Sequence, residues 1–208
     1  MKKRYIISGI FFLLFILITV LMITNNTKVF DDKVYNYIFS FRNEFIDTFF
    51  KTITKFGNVI SVIIIIFILL IFLEKENIYK LIMTVVTTVL TNEGLKHIIR
   101  RPRPEHLRLI NEKSFAFPSG HSMIAIALYG FLIYLVYKNI KNKFIKTILI
   151  ILLIALILGI GISRVYLGVH YPTDVLAGFS IALPILILIV GKIDDHFRGN
   201  INDKDGSE

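Results

Sequence analysis

The sequence predicts an all-α membrane protein with six transmembrane helices and an amphipathic interfacial segment after the first. Three observations carry this. Hydrophobic residues make up 55% of the 208-residue chain, and its mean hydropathy is +0.70. Those residues fall into long blocks close to the ~20 residues that a helix needs to cross a bilayer core. The charges collect between the blocks, as membrane proteins arrange them.

The first span is Tyr5–Thr24, uncharged beyond its basic start Lys2-Lys3-Arg4. A signal peptide would share that start, but the apolar run is long for one and no Ala-x-Ala-type site follows, so we expect a retained span. Asn25–Gly57 mixes aromatics with charges. Phe45, Ile46, Phe49, Phe50 and Ile53 give it a one-sided stripe, which predicts amphipathic helices lying in the interface or packed on external loops. Asn58–Leu73 is the second span. Ile78–Leu95 is a third and weaker one, interrupted by Thr84, Thr87, Thr88, Thr91, Asn92 and Glu93. Ser122–Tyr137, Phe144–Ile162 and Val175–Gly191 complete the set, with Pro184 expected to kink the last. Residues 192–208 are predicted to be a polar, frayed cytoplasmic tail. We see no internal repeat and read 1–208 as one membrane-embedded domain.

Cysteine is absent, which removes disulfide frameworks and thiolate metal sites. The net charge of +9 would suggest nucleic acid in a soluble protein. Here cations flank apolar blocks, so orientation and anionic head groups account for them better and no nucleic-acid partner is expected. Lys2, Lys3 and Arg4, with Lys138, Lys141, Lys143 and Lys146, place both termini in the cytoplasm of a multi-pass cell-membrane protein. Lys96, Arg100, Arg101, Arg103 and Arg108 then fall outside, against the rule, which suggests another task for them.

Three clusters lie on that external side. Lys96 is followed after six residues by Arg103-Pro104. Pro118-Ser119-Gly120-His121 opens the fourth span. Ser163-Arg164 is followed after five residues by His170, and after three more by Asp174. Lys96, Arg103 and Arg164 are fixed cations, and arginine offers a planar donor fork for phosphate oxygens. Ser119 and Gly120 begin a helix, where free N–H groups and the dipole attract anions. Of the two histidines, one can attack phosphorus and one can protonate a leaving oxygen. Asp174 can orient His170 through its far ring nitrogen. Pro172 suits the first turn of a helix, which puts Asp174 in that turn. No carboxylate cluster is present for magnesium, so metal and cofactor are expected to be absent.

Singly, each cluster has a plainer reading. The cations could bind head groups, Pro-Ser-Gly could be a turn and cap, and His170 with Asp174 could be two ligands of a metal site. His97 is read as a bystander, and Arg100, Arg101 and Arg108 as head-group contacts. Together the clusters resemble, at every fixed position, the signature of the type 2 phosphatidic acid phosphatase and vanadium haloperoxidase superfamily: Lys-x6-Arg-Pro, Pro-Ser-Gly-His and Ser-Arg-x5-His-x3-Asp. The match covers Lys96–Asp174. It implies an all-helical fold and a metal-independent phosphohistidine mechanism. His170 would be the nucleophile, His121 the acid and Asp174 the partner of His170. Lys96, Arg103, Ser119, Gly120 and Arg164 would hold the phosphate. Small bacterial members resemble phosphatidylglycerophosphate and undecaprenyl diphosphate phosphatases. The expected substrate is therefore a lipid phosphate or diphosphate, with a slight lean to the isoprenyl diphosphate and phosphatidic acid as a third option. A phosphotransferase, a vanadate haloperoxidase and a non-catalytic phosphate-binding protein are the rival classes.

Overall fold

The computed structural model describes residues 2–105 and 108–205, with side chains as far as 197. Among these residues there are helices and loops but no strand. In chain order the helices are α1 (Lys2–Ile23), α2 (Lys28–Phe39), α3 (Glu44–Ile53), α4 (Val59–Phe72), α5 (Lys75–Ile99), α6 (Gly120–Ala125), α7 (Phe131–Asn139), α8 (Lys143–Tyr166) and α9 (Pro172–Asp205). A 3₁₀ turn, Thr54–Gly57, joins α3 to α4. A π-helical turn, Ile126–Gly130, joins α6 to α7, making one rod, Gly120–Asn139. Asparagine caps start three of the helices: Asn43 accepts from Ile46 N at 2.9 Å, Asn58 from Ser61 N at 3.0 Å and Asn142 from Ile145 N at 3.1 Å. Each cap satisfies an amide that the helix start leaves unpaired.

Four helices are long and apolar enough to cross a membrane: Lys2–Ile23, Gly120–Asn139, Lys143–Tyr166 and Pro172–Phe197. A fifth crossing is reached if Glu44–Gly57 and Val59–Phe72, bent by 53°, count as one. The two remaining predicted spans fall short for different reasons. The 14 residues of α4 extend only about 21 Å at 1.5 Å per residue, against a core of ~30 Å. Helix α5 has length enough, 25 residues, but is too polar. Its polarity has a direction. Lys80, Thr84, Thr88, Asn92 and Lys96 recur every fourth residue and are all buried, while Tyr79, Ile82, Met83, Val86, Val89 and Leu90 are exposed. The polar stripe faces the bundle and the apolar side faces outward, the arrangement expected of a helix in lipid.

Helix α1 packs along α9. Phe15, Ile18 and Met22 meet Phe117, Met123, Ile181 and Ala182 there. A second core joins Val62, Leu81, Leu128, Phe131, Ile160 and Leu186. Pro184 lies within α9 without ending it. The expected frayed tail from Lys192 is instead helix as far as Asp205. Ion pairs explain the extension: Asp194 pairs with Lys80, and Asp195 with Arg4, while Arg4 also donates to the carbonyl of Gly191 at 2.7 Å.

The segment after α1 divides its aromatic stripe. Ile46 and Phe50 pack on Tyr166, Leu167 and Val169, and Tyr166 donates to Asp47 at 2.5 Å. Phe45 and Phe49 point outward. Helix α3 is thus fastened to the loop after α8 and keeps an apolar outer edge.

Candidate active site

The end of α8 places His170. Gly168 adopts φ 74°, a left-handed turn that glycine takes without Cβ strain. This folds the chain back so that the amides of Val169 and His170 both donate to Arg164 O at 3.2 Å. Helix α9 then begins at Pro172, and its first turn holds Asp174. Asp174 Oδ2 accepts from Tyr171 N at 2.8 Å and lies 3.4 Å from His170 Nδ1. That approach does not close a hydrogen bond, and Nδ1 is buried without another partner among the described residues. His170 Nε2 lies 3.2 Å from Arg103 Nη1. Arginine can only donate, so Nε2 carries the lone pair and the proton resides on Nδ1, facing Asp174. Burial, then the charges of Arg164, Arg103 and Lys96, hold His170 well below the ordinary imidazole value, against a smaller opposing pull from Glu112. The ring is therefore neutral at neutral pH, with its lone pair toward the cations.

These cations line one cavity of about 340 Å³ together with His170, His121, Gly120, Glu112, Ser114 and Asn92. Helix α5 ends on Arg100 in the left-handed conformation, turning the chain across the cavity. Arg103 is held firmly: Nε donates to Ser114 O at 2.6 Å, Nη1 to Val169 O at 2.7 Å and Nη2 to Ser114 Oγ at 2.9 Å. Lys96 Nζ reaches Ser114 Oγ at 3.3 Å. Arg164 donates to Thr54 Oγ1 at 2.9 Å and to Glu112 Oε1 at 2.6 Å, and its buried Nε has no partner among the described residues. Burial would raise the Glu112 carboxyl, yet Arg164 and Arg103 hold it below its ordinary value.

Ser119 caps α6. Its hydroxyl accepts from Ser122 Oγ at 2.9 Å and its amide donates to Asp174 O at 3.0 Å. The free donors of this helix start are then the amides of Gly120 and His121. A Cβ on Gly120 would stand 2.9 Å from Asn92 Oδ1 and 3.7 Å from Lys96 Nζ, so glycine admits α5 at this point. His121 enters the cavity from the same turn, its ring against Gly57. The sequence-predicted residues thus converge: six line the cavity, Ser119 caps the helix beside it, and Asp174 stands behind His170. Among the described residues, no group of three His, Asp or Glu side chains is arranged to hold a metal ion.

Residues 77–198 match the PAP2 superfamily. The chain belongs to the PAP2 superfamily. It is 44% identical over 107 residues to phosphatidylglycerophosphatase B of Bacillus subtilis, covering 50% of this chain and 52% of that protein. It is 34% identical over 110 residues to a lipid A 1-phosphatase of Rhizobium johnstonii, covering 48% and 41%. The matched region thus spans about half the length of these curated relatives. In structure the chain is similar to the crystal structure of a transmembrane PAP2-type phosphatidylglycerolphosphate phosphatase from Bacillus subtilis, with TM-score 0.83, 30% identity and coverage of 90% of this chain and 96% of that one. Aquifex aeolicus LpxE follows with TM-score 0.65, 26% identity and coverage of 76% and 93%.

Sequence reasoning missed three members of this PAP2 site. Arg101, read as a head-group contact, is a part-buried partner of two buried carboxylates instead: it donates to Asp174 Oδ1 at 2.5 Å and to Asp31 Oδ2 at 2.8 Å. Its neighbour Arg100 is exposed, and nothing local distinguishes the two. Asp31 and Glu112 lie outside the signature and meet the site only through the fold. Asn92, four residues before Lys96 on the same helix face, did carry a signal in its spacing. His97 is exposed, in keeping with its bystander reading.

Proposed function

We propose that this chain is a multi-pass cell-membrane lipid phosphatase that cleaves a lipid phosphate through a phosphohistidine intermediate. The carrying observation is the shape of the cavity. At one end stand His121, His170, Lys96, Arg103 and Arg164. The other end is a groove lined by Val59, Val62, Ile63 and Ile66 of α4 and by Val85 and Val89 of α5. A phosphate with an apolar tail fits both ends at once.

In the first step the neutral His170 Nε2 attacks phosphorus in line, the P–O bond to the lipid breaks, and His121 supplies the proton to the departing oxygen. Water, deprotonated by His121, then cleaves the P–N bond, releasing inorganic phosphate and restoring His170. Arg103, Arg164, Lys96 and the amides of Gly120 and His121 stabilise the equatorial oxygens, with Ser119 fixing that helix start. Asp174 orients the imidazole and stabilises its charged form. The partly spent cations support this assignment. Arg164 has an unused buried Nε, and a phosphate oxygen would satisfy it.

For the substrate we favour a glycerophospholipid phosphate such as phosphatidylglycerophosphate over the isoprenyl diphosphate toward which the sequence leans. Thr88 lines the groove two helical turns from Lys96, and its buried hydroxyl has no hydrogen-bond partner among the described residues. Ester or hydroxyl oxygens beside the phosphate would give it one, and a polyprenyl chain has none to offer. The name of the Bacillus relative supports the same class. With both termini cytoplasmic, as the basic loops indicate, the site faces outward.

Phosphate release should be measured with purified chain on phosphatidylglycerophosphate, undecaprenyl diphosphate, phosphatidate and a soluble phosphate ester. Release from lipids that is lost in His170→Asn and His121→Asn is expected. Release at the wild-type rate by His170→Asn would remove the nucleophile assignment. Transfer of the phosphate to an added alcohol in place of release would identify a phosphotransferase.

A further inference from the structure

We propose that Asp31 and Arg101 are positioning residues of this site, through which α2 fixes the carboxylate that faces His170. The inference rests on the phosphatase reading above and extends it to a segment outside the signature motifs.

The geometry forms a relay of single contacts. Asp31, on α2, is 1% exposed. Its Oδ1 accepts from Thr173 N at 3.0 Å, and its Oδ2 accepts from Thr173 Oγ1 at 2.8 Å and from Arg101 Nη2 at 2.8 Å. Arg101 lies 4.0 Å over the Tyr171 ring and turns Nη1 to Asp174 Oδ1 at 2.5 Å and to Thr173 Oγ1 at 2.9 Å. Each oxygen of Asp174 thus has a fixed task. Oδ1 is held by Arg101, and Oδ2 is left for Tyr171 N and the face of His170 Nδ1. Two planar groups clamped in this way cannot turn independently.

Charge makes the same point. Asp31, Arg101 and Asp174 together carry one net negative charge beside a buried imidazole. Removing Arg101 leaves two buried carboxylates facing each other, so Asp174 takes up a proton and the negative field at His170 weakens. Removing Asp31 leaves Arg101 with one partner, which weakens that field. Both substitutions therefore weaken the negative field at His170. The other charged or titratable groups facing His170, namely Arg103, Arg164, Lys96, Glu112 and His121, stay in place in both, as do Tyr171 and the Asp32 near it. A contact that merely stapled α2 to α9 would leave that field unchanged.

The test uses the full chain in detergent micelles with Asp31→Asn, Arg101→Gln, the double variant and Arg101→Lys. On the preferred lipid, kcat should fall roughly ten- to a hundredfold in each single variant, the range for loosening a group that orients a reacting side chain. KM should stay within about twofold, because no group that would hold the phosphate is removed. The titration midpoint of His170, followed by ¹⁵N NMR and assigned by its loss in His170→Asn, should fall in Arg101→Gln. It should fall in Asp31→Asn and in the double variant as well. Arg101→Lys restores the charge without the planar fork, so its midpoint should match wild type while kcat stays low. Midpoints that do not move, with unchanged kcat and only a lower melting temperature, would reduce the pair to a structural staple and overturn the inference. If the wild type releases phosphate from no lipid, the phosphatase reading falls. The NMR arm still decides the relay: lowered midpoints support it and unmoved midpoints overturn it.

Discussion

Two ion clusters are buried in this bundle, one at each end of α5, and they are built alike. At the site end Arg101 lies between Asp31 and Asp174. At the opposite end Lys80, fully buried, lies between Glu76 and Asp194. The difference is in what remains unspent. Lys80 has three N–H donors and three acceptors, since Tyr134 Oη joins at 3.1 Å, and Tyr134 in turn donates to Asp194 at 3.0 Å. All three Lys80 donors are spent, and Lys80 does not line the cavity of the site. Around the site end, Arg164 Nε has no partner among the described residues and stands beside a cavity of 340 Å³. A closed polar cluster fastens helices. A polar cluster with idle donors beside a cavity is equipped for a ligand.

The strongest way to break this comparison is to remove the central group from each cluster in turn. His170→Asn should lower phosphate release by at least about a thousandfold, as loss of a nucleophile does, with little change in melting temperature. Lys80→Met should do the reverse. It strands two carboxylates that are about three-quarters buried and should cost about 3 kcal/mol of stability, while activity per folded molecule stays near wild type. Thermal melts in one detergent, alongside phosphate release, check both. A Lys80→Met protein that melts normally but is inactive would erase the division between the two ends.

The pH profile sharpens the same contrast. His170 is held well below its ordinary value, and only its neutral form attacks. Protonation of His170 should therefore not remove activity at the usual imidazole midpoint near 6.5, and should do so only as its depressed midpoint is crossed. A phosphate ester ionises near pH 6 itself, so the acid limb should be compared between variants on one substrate. An unchanged limb in Arg101→Gln would show that the relay does not reach the reacting nitrogen.

The sequence made the signature legible because its residues stand at helix ends, where caps, prolines and glycines leave local marks. Pro172 and Asp174 in one turn, and Gly120 opening another, are examples. Asp31 and Arg101 left no such mark. They are 70 positions apart, and a long-range ion pair has no period for a hydropathy pattern to reveal. The six-span expectation reads average polarity, whereas α5 hides a polar stripe inside an apolar rod. The apolar groove is likewise a gap between α4 and α5 and belongs to neither segment alone.

Thr88 tests that groove. Thr88→Val keeps the shape and removes one hydroxyl. A lost hydrogen bond of about 1 kcal/mol should lower kcat/KM for phosphatidylglycerophosphate by roughly fivefold and leave undecaprenyl diphosphate unaffected. Equal losses on both lipids would place the glycerol backbone elsewhere.

The smallest effect is expected at Glu112, which sits between the two kinds of cluster. It pairs with Arg164 at 2.6 Å and approaches Arg103 at 3.9 Å, so a carboxylate already stands where phosphate oxygens would need donors. Because Glu112 is partly exposed, the pair is worth less than about 1 kcal/mol. Glu112→Gln removes the competing charge and frees the Arg164 fork, so inhibition by inorganic phosphate should tighten by roughly threefold. The KM for the lipid should fall in step while kcat holds. Weaker inhibition would mean that Glu112 serves Arg164 as Asp194 serves Lys80, as an anchor and not as a stand-in for the substrate.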